Sequence, residues 1–254
     1  MITPISKTES VPLRDALGRV LADNLQSPID VPNHTNAAMD GYAIRSTDLE
    51  AQGLAVIGTA WAGRAFEGLL EPGQCVRIMT GAVMPTNSDT VIMQEHVERH
   101  GDTVYLASGQ KPGQHVRQAG EDLTAGSVAL FGKQRLFPAQ LGVTASLGID
   151  QLTVLQKPRV AFFSNGDELR PINEPLAIGE VYDSNRYTLH GMLTRVGADI
   201  LDLGVVPDNP EQLQATFERA SSNADLVITS VFPKYDHRPL CVPVFQGLGF
   251  RLIL

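Results

Sequence analysis

Basic residues, cysteines and long apolar runs are all scarce in this chain of 254 residues, and each scarcity closes off a class of function. Lys and Arg number 20 against 28 Asp and Glu, a formal net charge of −8, whereas nucleic-acid binding goes with a basic face or a strongly basic domain. Nucleic acid is not an expected partner. An acidic balance does not bar a small anionic ligand, because local arginines, helix N-termini or a bridging divalent cation outweigh the global field at short range. Two cysteines, Cys75 and Cys241, cannot build a disulfide framework or a closed zinc site, and Met1-Ile2-Thr3-Pro4 lacks the basic-then-apolar start of a secretory signal. A reducing, cytoplasmic compartment is expected. No stretch of about 18 uninterrupted apolar residues is present, so no membrane span is expected.

The common catalytic signatures are missing too. There is no G-x-x-x-x-G-K-[ST] phosphate loop, no G-x-S-x-G nucleophile elbow and no G-x-G-x-x-G dinucleotide turn. His96 and His100 have the i, i+4 spacing of a helical metal pair, but Arg99-His100-Gly101 reads as a turn, and ligation at that spacing needs a helix.

What is present is a globular composition, 43% hydrophobic, in a chain long enough for one large or two modest domains. Leu13, Ala16, Leu17, Val20 and Leu21 follow helical spacing and predict an amphipathic helix over Pro12–Asn24; a second, short helix fits Pro138–Leu147. Between them the chain is punctuated by Pro and Gly, and β-branched runs such as 56–59, 75–79, 90–93 and 103–106 predict a β-rich insert. His100-Gly101-Asp102 reads as a hairpin tip. A weak duplication lies within it: Pro72-Gly73-Gln74-Cys75-Val76-Arg77 against Pro112-Gly113-Gln114-His115-Val116-Arg117, each opening on a Pro-Gly turn.

Beyond Lys157-Pro158 the pattern becomes strand, helix, strand, helix, strand: Val160–Phe163, a helix capped at Ser184 or Asn185 and stopped by Gly197, Asp199–Val206, Glu211–Ala220 and Asp225–Thr229. That alternation predicts a parallel α/β layer, whose ligands sit beyond the carboxyl ends of strands. Those ends carry Ser164 to Glu168, Asp208 and Thr229-Ser230. Residues 231–254, with Pro233, Pro239 and Pro243, do not continue the alternation.

The polar loop residues left over are ambiguous singly. Asp40-Gly41 is a turn by itself, Thr80-Gly81 offers a hydroxyl or simply ends a strand, Glu121-Asp122 holds a divalent cation or solvates a loop, Gly166-Asp167-Glu168 follows a buried strand where ligands bind, and Asp208 is a turn or capping residue.

In order, however, Ser27–Pro32, Ala38–Ala43, Arg77–Ala82, Arg117 through Asp122, Ala145–Ile149, Phe163–Leu169 and Tyr182–Arg186 resemble the MoeA-type molybdopterin molybdenumtransferases, the family that includes the E domain of gephyrin, over about Val11 to Ser230. The resemblance implies a multidomain α+β and α/β fold: a split helical and β region (1–27 and 123–156), a β-rich insert (28–122), and a partial MogA-like parallel α/β domain (157–230), followed by an atypical tail (231–254). It implies insertion of molybdate into adenylylated molybdopterin with Mg2+ and release of AMP, in a homodimer, with a MogA-like adenylyltransferase as a partner. Carried over by position, the catalytic residues are Asp40, Thr80, Asp122, Glu168 and Asp208; Asp122 and Glu168 are the cation-binding candidates. Gly81, Gly166, Asp167 and Ser184 are the cofactor-binding positions, with backbone N–H groups at Gly81 and at the helix start near Ser184 as anion donors. Carboxylates facing anionic substrates repel them unless a cation intervenes, which is the physical reason to expect Mg2+.

The resemblance stops after Ile228-Thr229-Ser230, where the family continues with an S-G-G-V-S-x-G loop and this chain reads Val231-Phe232-Pro233-Lys234. A change of reading frame is one expected cause, and weakened molybdopterin binding is the expected effect. A non-catalytic scaffold and an inactive fragment of the same family are the alternative expectations.

Overall fold

The computed structural model describes residues 4–231, which form two compact units: one from the chain start to Ala22, Lys133–Pro138 and Gln151 onwards, the other of Asp23–Gly132 and Ala139–Asp150. Residues 232–254, with Cys241 and nearly all of the atypical tail, lie outside the described residues.

The second unit is built on a six-stranded sheet of β1 (Gly41–Ile44), β2 (Leu54–Ala60), β3 (Gln74–Ile78), β4 (Thr90–Met93), β5 (Val97–His100) and β6 (Thr103–Leu106), in the spatial order β4-β1-β3-β2-β6-β5. All neighbours are antiparallel except β2 and β3. At its centre both faces are covered, so β1, β3 and β4 read as short apolar runs, while β2 alternates and the edge strand β5 is largely exposed. Ala43, Val76, Ile78 and Val91 belong to one buried cluster, and Tyr42, Ile44, Cys75 and Ile92 to another. The duplicated Pro-Gly turns are real. Gly73 and Gly113 both take left-handed φ (76° and 73°), and Gln74 and Gln114 each accept the backbone N–H three residues back through Oε1, at 3.1 and 3.2 Å. The hairpin tip at 100–102 joins β5 to β6, and His96 ends a 3-10 turn while His100 ends β5, so the helix a His pair would need is absent. Helix α1 (Pro138–Ser146) falls where the second helix is expected.

The helix expected over Pro12–Asn24 is not formed. Thr8–Pro12 is a strand antiparallel to Gln151–Leu155, Leu13–Ala16 is a single 3-10 turn, and Gly18 at φ 76° ends any helical continuation. Val20 and Leu21 then make β-bridges to Arg135 and Val154. Of the five spaced residues only Ala16 and Leu21 are buried, and Leu17 is exposed; non-local backbone bonds, such as Leu21 N–H to Gln134 O at 3.0 Å, override the local pattern.

The first unit carries the parallel layer: β7 (Arg159–Asn165), α2 (Ser184–Val196), β8 (Asp199–Val206), α3 (Pro210–Asn223) and β9 (Leu226–Val231), with sheet order β8-β7-β9. Six of the seven residues of β7 are buried, as a central strand covered on both faces requires. Val160 and Phe162 pack with Leu193 of α2, while Phe163 meets Phe217 of α3 edge-on at 4.9 Å between ring centres. The cap of α2 is Asp183, whose Oδ1 accepts the Arg186 N–H at 3.1 Å, rather than Ser184 or Asn185; its end at Gly197 (φ 80°) is as expected. Helix α3 is longer than the expected 211–220, with Asn209 as its cap accepting from the Gln212 N–H at 2.9 Å and Pro210 inside its first turn.

Candidate functional site

Asp40 immediately precedes β1 and Thr80 lies just past β3, and adjacent pairing of these strands brings the two residues together. Thr80 donates both its backbone N–H and its hydroxyl to Asp40 Oδ1, each at 2.7 Å. These two bonds, side chain first, and the nearby Arg77 guanidinium hold the Asp40 carboxyl below its ordinary value of 3.8, against a weaker upward push from burial. Asp40 Oδ2 accepts no hydrogen bond among the described residues. The hydroxyl that Thr80 offers is directed to Asp40.

Gly41 fits because a Cβ there would lie 2.0 Å from the Ile92 carbonyl oxygen on β4. Gly81 takes φ 79° and donates its N–H to the Ala37 carbonyl at 2.8 Å, so the backbone donor expected to meet an anion is already bonded within the protein. The two-residue strand Asn36–Ala37 pairs with Val116–Arg117, which brings the second Pro-Gly copy to the same end of the unit. There Arg117 meets Asp122 at 2.5 Å, and Glu121 accepts the Gln118 N–H at 2.9 Å. The pair is on the surface, with side-chain exposures of 40% and 53%, so it positions Asp122 at little gain in stability.

The remaining positions stand beyond the carboxyl ends of β7 and β8. Gly166 has φ 157°, and the Glu168 carboxylate folds back over it, 2.8 Å from where a Cβ would be. Asp167 Oδ1 accepts the Asp208 N–H at 3.0 Å, tying the loop after β7 to the loop after β8. Asn165 reinforces that tie through Nδ2, which donates to the Val206 and Pro207 carbonyls at 3.1 and 3.3 Å. Ser184 opens α2 and lines a cavity of about 200 Å³ with Leu169, Val181, Tyr182, Asp183, Asn185 and Ser230. A separate, polar cleft of about 720 Å³ lies at the amino ends of the same strands, lined in part by Lys7, Arg19, Lys157, Arg159 and Asp225, and contains none of the expected site residues.

The expected residues therefore form two groups. Asp40, Thr80 and Gly81, with Asp122 at the same end, lie in one unit; Gly166, Asp167, Glu168, Ser184 and Asp208 lie in the other. Among the described residues no group of three or more His, Cys, Asp or Glu is arranged to hold a metal ion.

Sequence reasoning missed the two arginines. Arg77 lies over the Tyr42 ring at 5.1 Å, donates to the Gly41 carbonyl at 3.1 Å and bonds Gln94, whose N–H reaches the Asp40 carbonyl at 3.2 Å. Arg117 holds Asp122. Both close a copy of the duplicated segment, which is the signal that marked them.

Residues 1–148 match the family profile described as MoeA N-terminal region (domain I and II). The chain belongs to the MoeA family. Residues 161–230 of this MoeA-family chain match a second profile, described as Probable molybdopterin binding domain. It is 41% identical to the molybdopterin molybdenumtransferase of Haemophilus influenzae over 89% of this chain and 56% of that protein, and 40% identical to that of Nostoc over 88% and 52%. The chain spans about half the length of these curated relatives. Among solved structures it is similar to the molybdopterin biosynthesis MoeA protein of Pyrococcus horikoshii OT3, with a TM-score of 0.84 and 34% identity over 90% of this chain and 62% of that one.

Proposed function

We propose that this MoeA-family chain acts in molybdenum cofactor assembly, taking adenylylated molybdopterin and molybdate as substrates in a reaction that forms the molybdenum cofactor and releases AMP. The observation that carries the reading is the cluster beyond β7 and β8: Glu168, Asp167 and Asp208, the last two tied by the 3.0 Å bond, stand where a parallel sheet binds its ligand and within the residues matched to a molybdopterin-binding family.

The donor chemistry fits Mg2+ bound jointly with substrate. Mg2+ is commonly held by one or two carboxylates plus substrate phosphates rather than by an all-protein cage. Asp40 supplies a hard oxygen, Oδ2, on a carboxyl that stays charged below its ordinary titration range. Asp122 or Glu168 is the carboxylate that would hold the ion, Asp122 by exchanging its Arg117 partner. When bound, the cation offsets the repulsion between these carboxylates and the anionic substrates. Thr80 fixes which Asp40 oxygen faces inward within its pair, and Asp167 fixes the backbone that presents Asp208.

The division into a split region (1–27 and 123–156), an insert (28–122) and a partial α/β domain (157–230) belongs to the same proposal. So do a homodimer that completes the site, a MogA-like adenylyltransferase that supplies the substrate, and a cytoplasmic location. Among the described residues no helix is long and apolar enough to cross a membrane.

The test is single-turnover AMP release from adenylylated molybdopterin, with the chain in excess and molybdate and Mg2+ added separately and together. Release that requires both additions, slower than for the Haemophilus influenzae relative, is the expected result. A chain that neither binds adenylylated molybdopterin nor releases AMP overturns the reading.

A further inference from the structure

The polar cleft at the amino ends of the parallel strands has a charge that runs against that of the chain. Four basic side chains, Lys7, Arg19, Lys157 and Arg159, line its volume of about 720 Å³ against three acidic ones, Glu9, Asp199 and Asp225, in a protein of net charge −8. Part of this set is spent on the fold. Arg19 pairs with Glu9 and donates to the Leu155 carbonyl at 2.8 Å, and Asp225 Oδ2 accepts the Arg159 N–H at 2.8 Å. The side chains of Lys7, Lys157 and Arg159 have no ion pair or hydrogen bond among the described residues.

Strand pairing is what gathers these three cations. The register that sets Thr8 against Leu155 carries on to Lys7 and Gln156, whose N–H reaches the Lys7 carbonyl at 2.9 Å, so Lys7 lies across from the residue before Lys157. Arg159 follows two residues later, at the start of β7 and level with Asp199 on β8. Like charges collected in one cleft repel one another, and an anion that accepts from several of them relieves the repulsion through charge-assisted hydrogen bonds.

The rest of the lining says what the anion is attached to. A cleft of about 720 Å³ holds an organic molecule rather than a bare oxyanion. Only Ile5 and Ala224 are apolar in its wall, which offers little to an aromatic ring. The Asp199 carboxylate, which has no side-chain partner among the described residues, accepts hydroxyl hydrogens. A phosphate monoester that carries several hydroxyls presents both chemistries. We propose that this cleft is a binding site for a sugar phosphate, with Lys7, Lys157 and Arg159 on the phosphate and Asp199 on the sugar hydroxyls. It lies at the opposite end of the parallel strands from Asp167, Glu168 and Asp208, and does not depend on the molybdopterin reading.

The test is isothermal titration calorimetry of the 254-residue chain with ribose 5-phosphate, inorganic phosphate and ribose at one fixed ionic strength. Ribose 5-phosphate should bind most tightly, inorganic phosphate about tenfold more weakly for want of the contacts to Asp199, and ribose not measurably. Lys157→Gln and Arg159→Gln remove charges that take no part in the hydrogen bonds of the fold, so each should weaken ribose 5-phosphate about tenfold with the circular dichroism unchanged. Asp199→Ala should weaken ribose 5-phosphate without weakening inorganic phosphate. Lys111→Gln, in the other unit, changes the net charge by the same amount and should alter neither. Failure of ribose 5-phosphate to bind, equal affinity for it and inorganic phosphate, or a loss in Lys111→Gln as large as in Lys157→Gln overturns the proposal.

Discussion

Thr80 closes on Asp40 with two hydrogen bonds to one oxygen, backbone N–H and hydroxyl both at 2.7 Å from Oδ1. Since the hydroxyl bond is the larger cause of the lowered Asp40 pKa, Thr80→Ala should move it up towards 3.8, and Thr80→Ser should leave it low. The sign for stability follows from linkage: a carboxyl depressed in the folded state contributes stability that is present above its unfolded value and lost as pH falls through the folded one. Thr80→Ala should therefore flatten the acid limb of the stability profile below about pH 4, near the unperturbed Asp value. Carbon-13 titration of the Asp40 carboxyl measures the shift directly; an unmoved midpoint in Thr80→Ala would refute this account of Asp40.

The Asp167–Asp208 bond predicts a purely local effect. Asp167→Ala removes the acceptor of the Asp208 N–H and should speed hydrogen exchange of that amide by about tenfold, the scale of one lost hydrogen bond, with the amides of β7 unaffected. Asp167→Asn retains an acceptor oxygen and should exchange near the wild-type rate. Equal exchange in all three proteins would show that the loops are held by Asn165 alone.

Four strands of the six-stranded sheet were legible as β-branched runs, whereas β1, which starts inside the apparent Asp40-Gly41 turn, and β5, polar but for Val97, were not; β7 was legible because four apolar residues in a row, Val160 to Phe163, suit a strand buried on both faces. The segment from Pro12 misled because its apolar spacing does not say which residues are buried or by which partner. Gly18 and the distant segments around Arg135 and Val154 settled that, and neither is visible in a local window. In the site, residue types were legible and pairings were not. Nothing near Asp122 says that Arg117 rather than water meets it, or that the Gly81 N–H is directed to Ala37. The duplicated segment came nearest to a long-range clue, since the arginine ending each copy stands beside one of the expected acids: Arg77 near Asp40 and Arg117 on Asp122.

Two glycines should respond to alanine in opposite directions. A Cβ at Gly41 would lie 2.0 Å from the Ile92 carbonyl oxygen and 2.8 Å from its carbon, both backbone atoms of the paired strand β4, so the strands must separate. Gly41→Ala should cost at least about 3 kcal/mol. Gly142 lies inside α1 with nothing within 4 Å of where a methyl group would stand, so Gly142→Ala should stabilise by about 0.5–1 kcal/mol through helix propensity. Urea titration followed by circular dichroism reads both, and a stabilised Gly41→Ala would contradict the close β1–β4 approach.

Cys75 should be chemically silent while the sheet is folded. Its side chain is fully buried among Tyr42, Ile44, Leu54 and Ile92, and burial pushes the thiol up to about 12, with only a small opposing pull from Arg99. The thiolate is the reactive form, so at pH 8 about one molecule in ten thousand carries it at this position even before access is considered. In a Cys241→Ser background, Ellman's reagent should report no thiol on the timescale of minutes and one full equivalent in denaturant. The rate at which that equivalent appears in native buffer then measures opening of the β1–β3–β2 core, and rapid labelling would contradict the packing of Cys75 beneath Leu54.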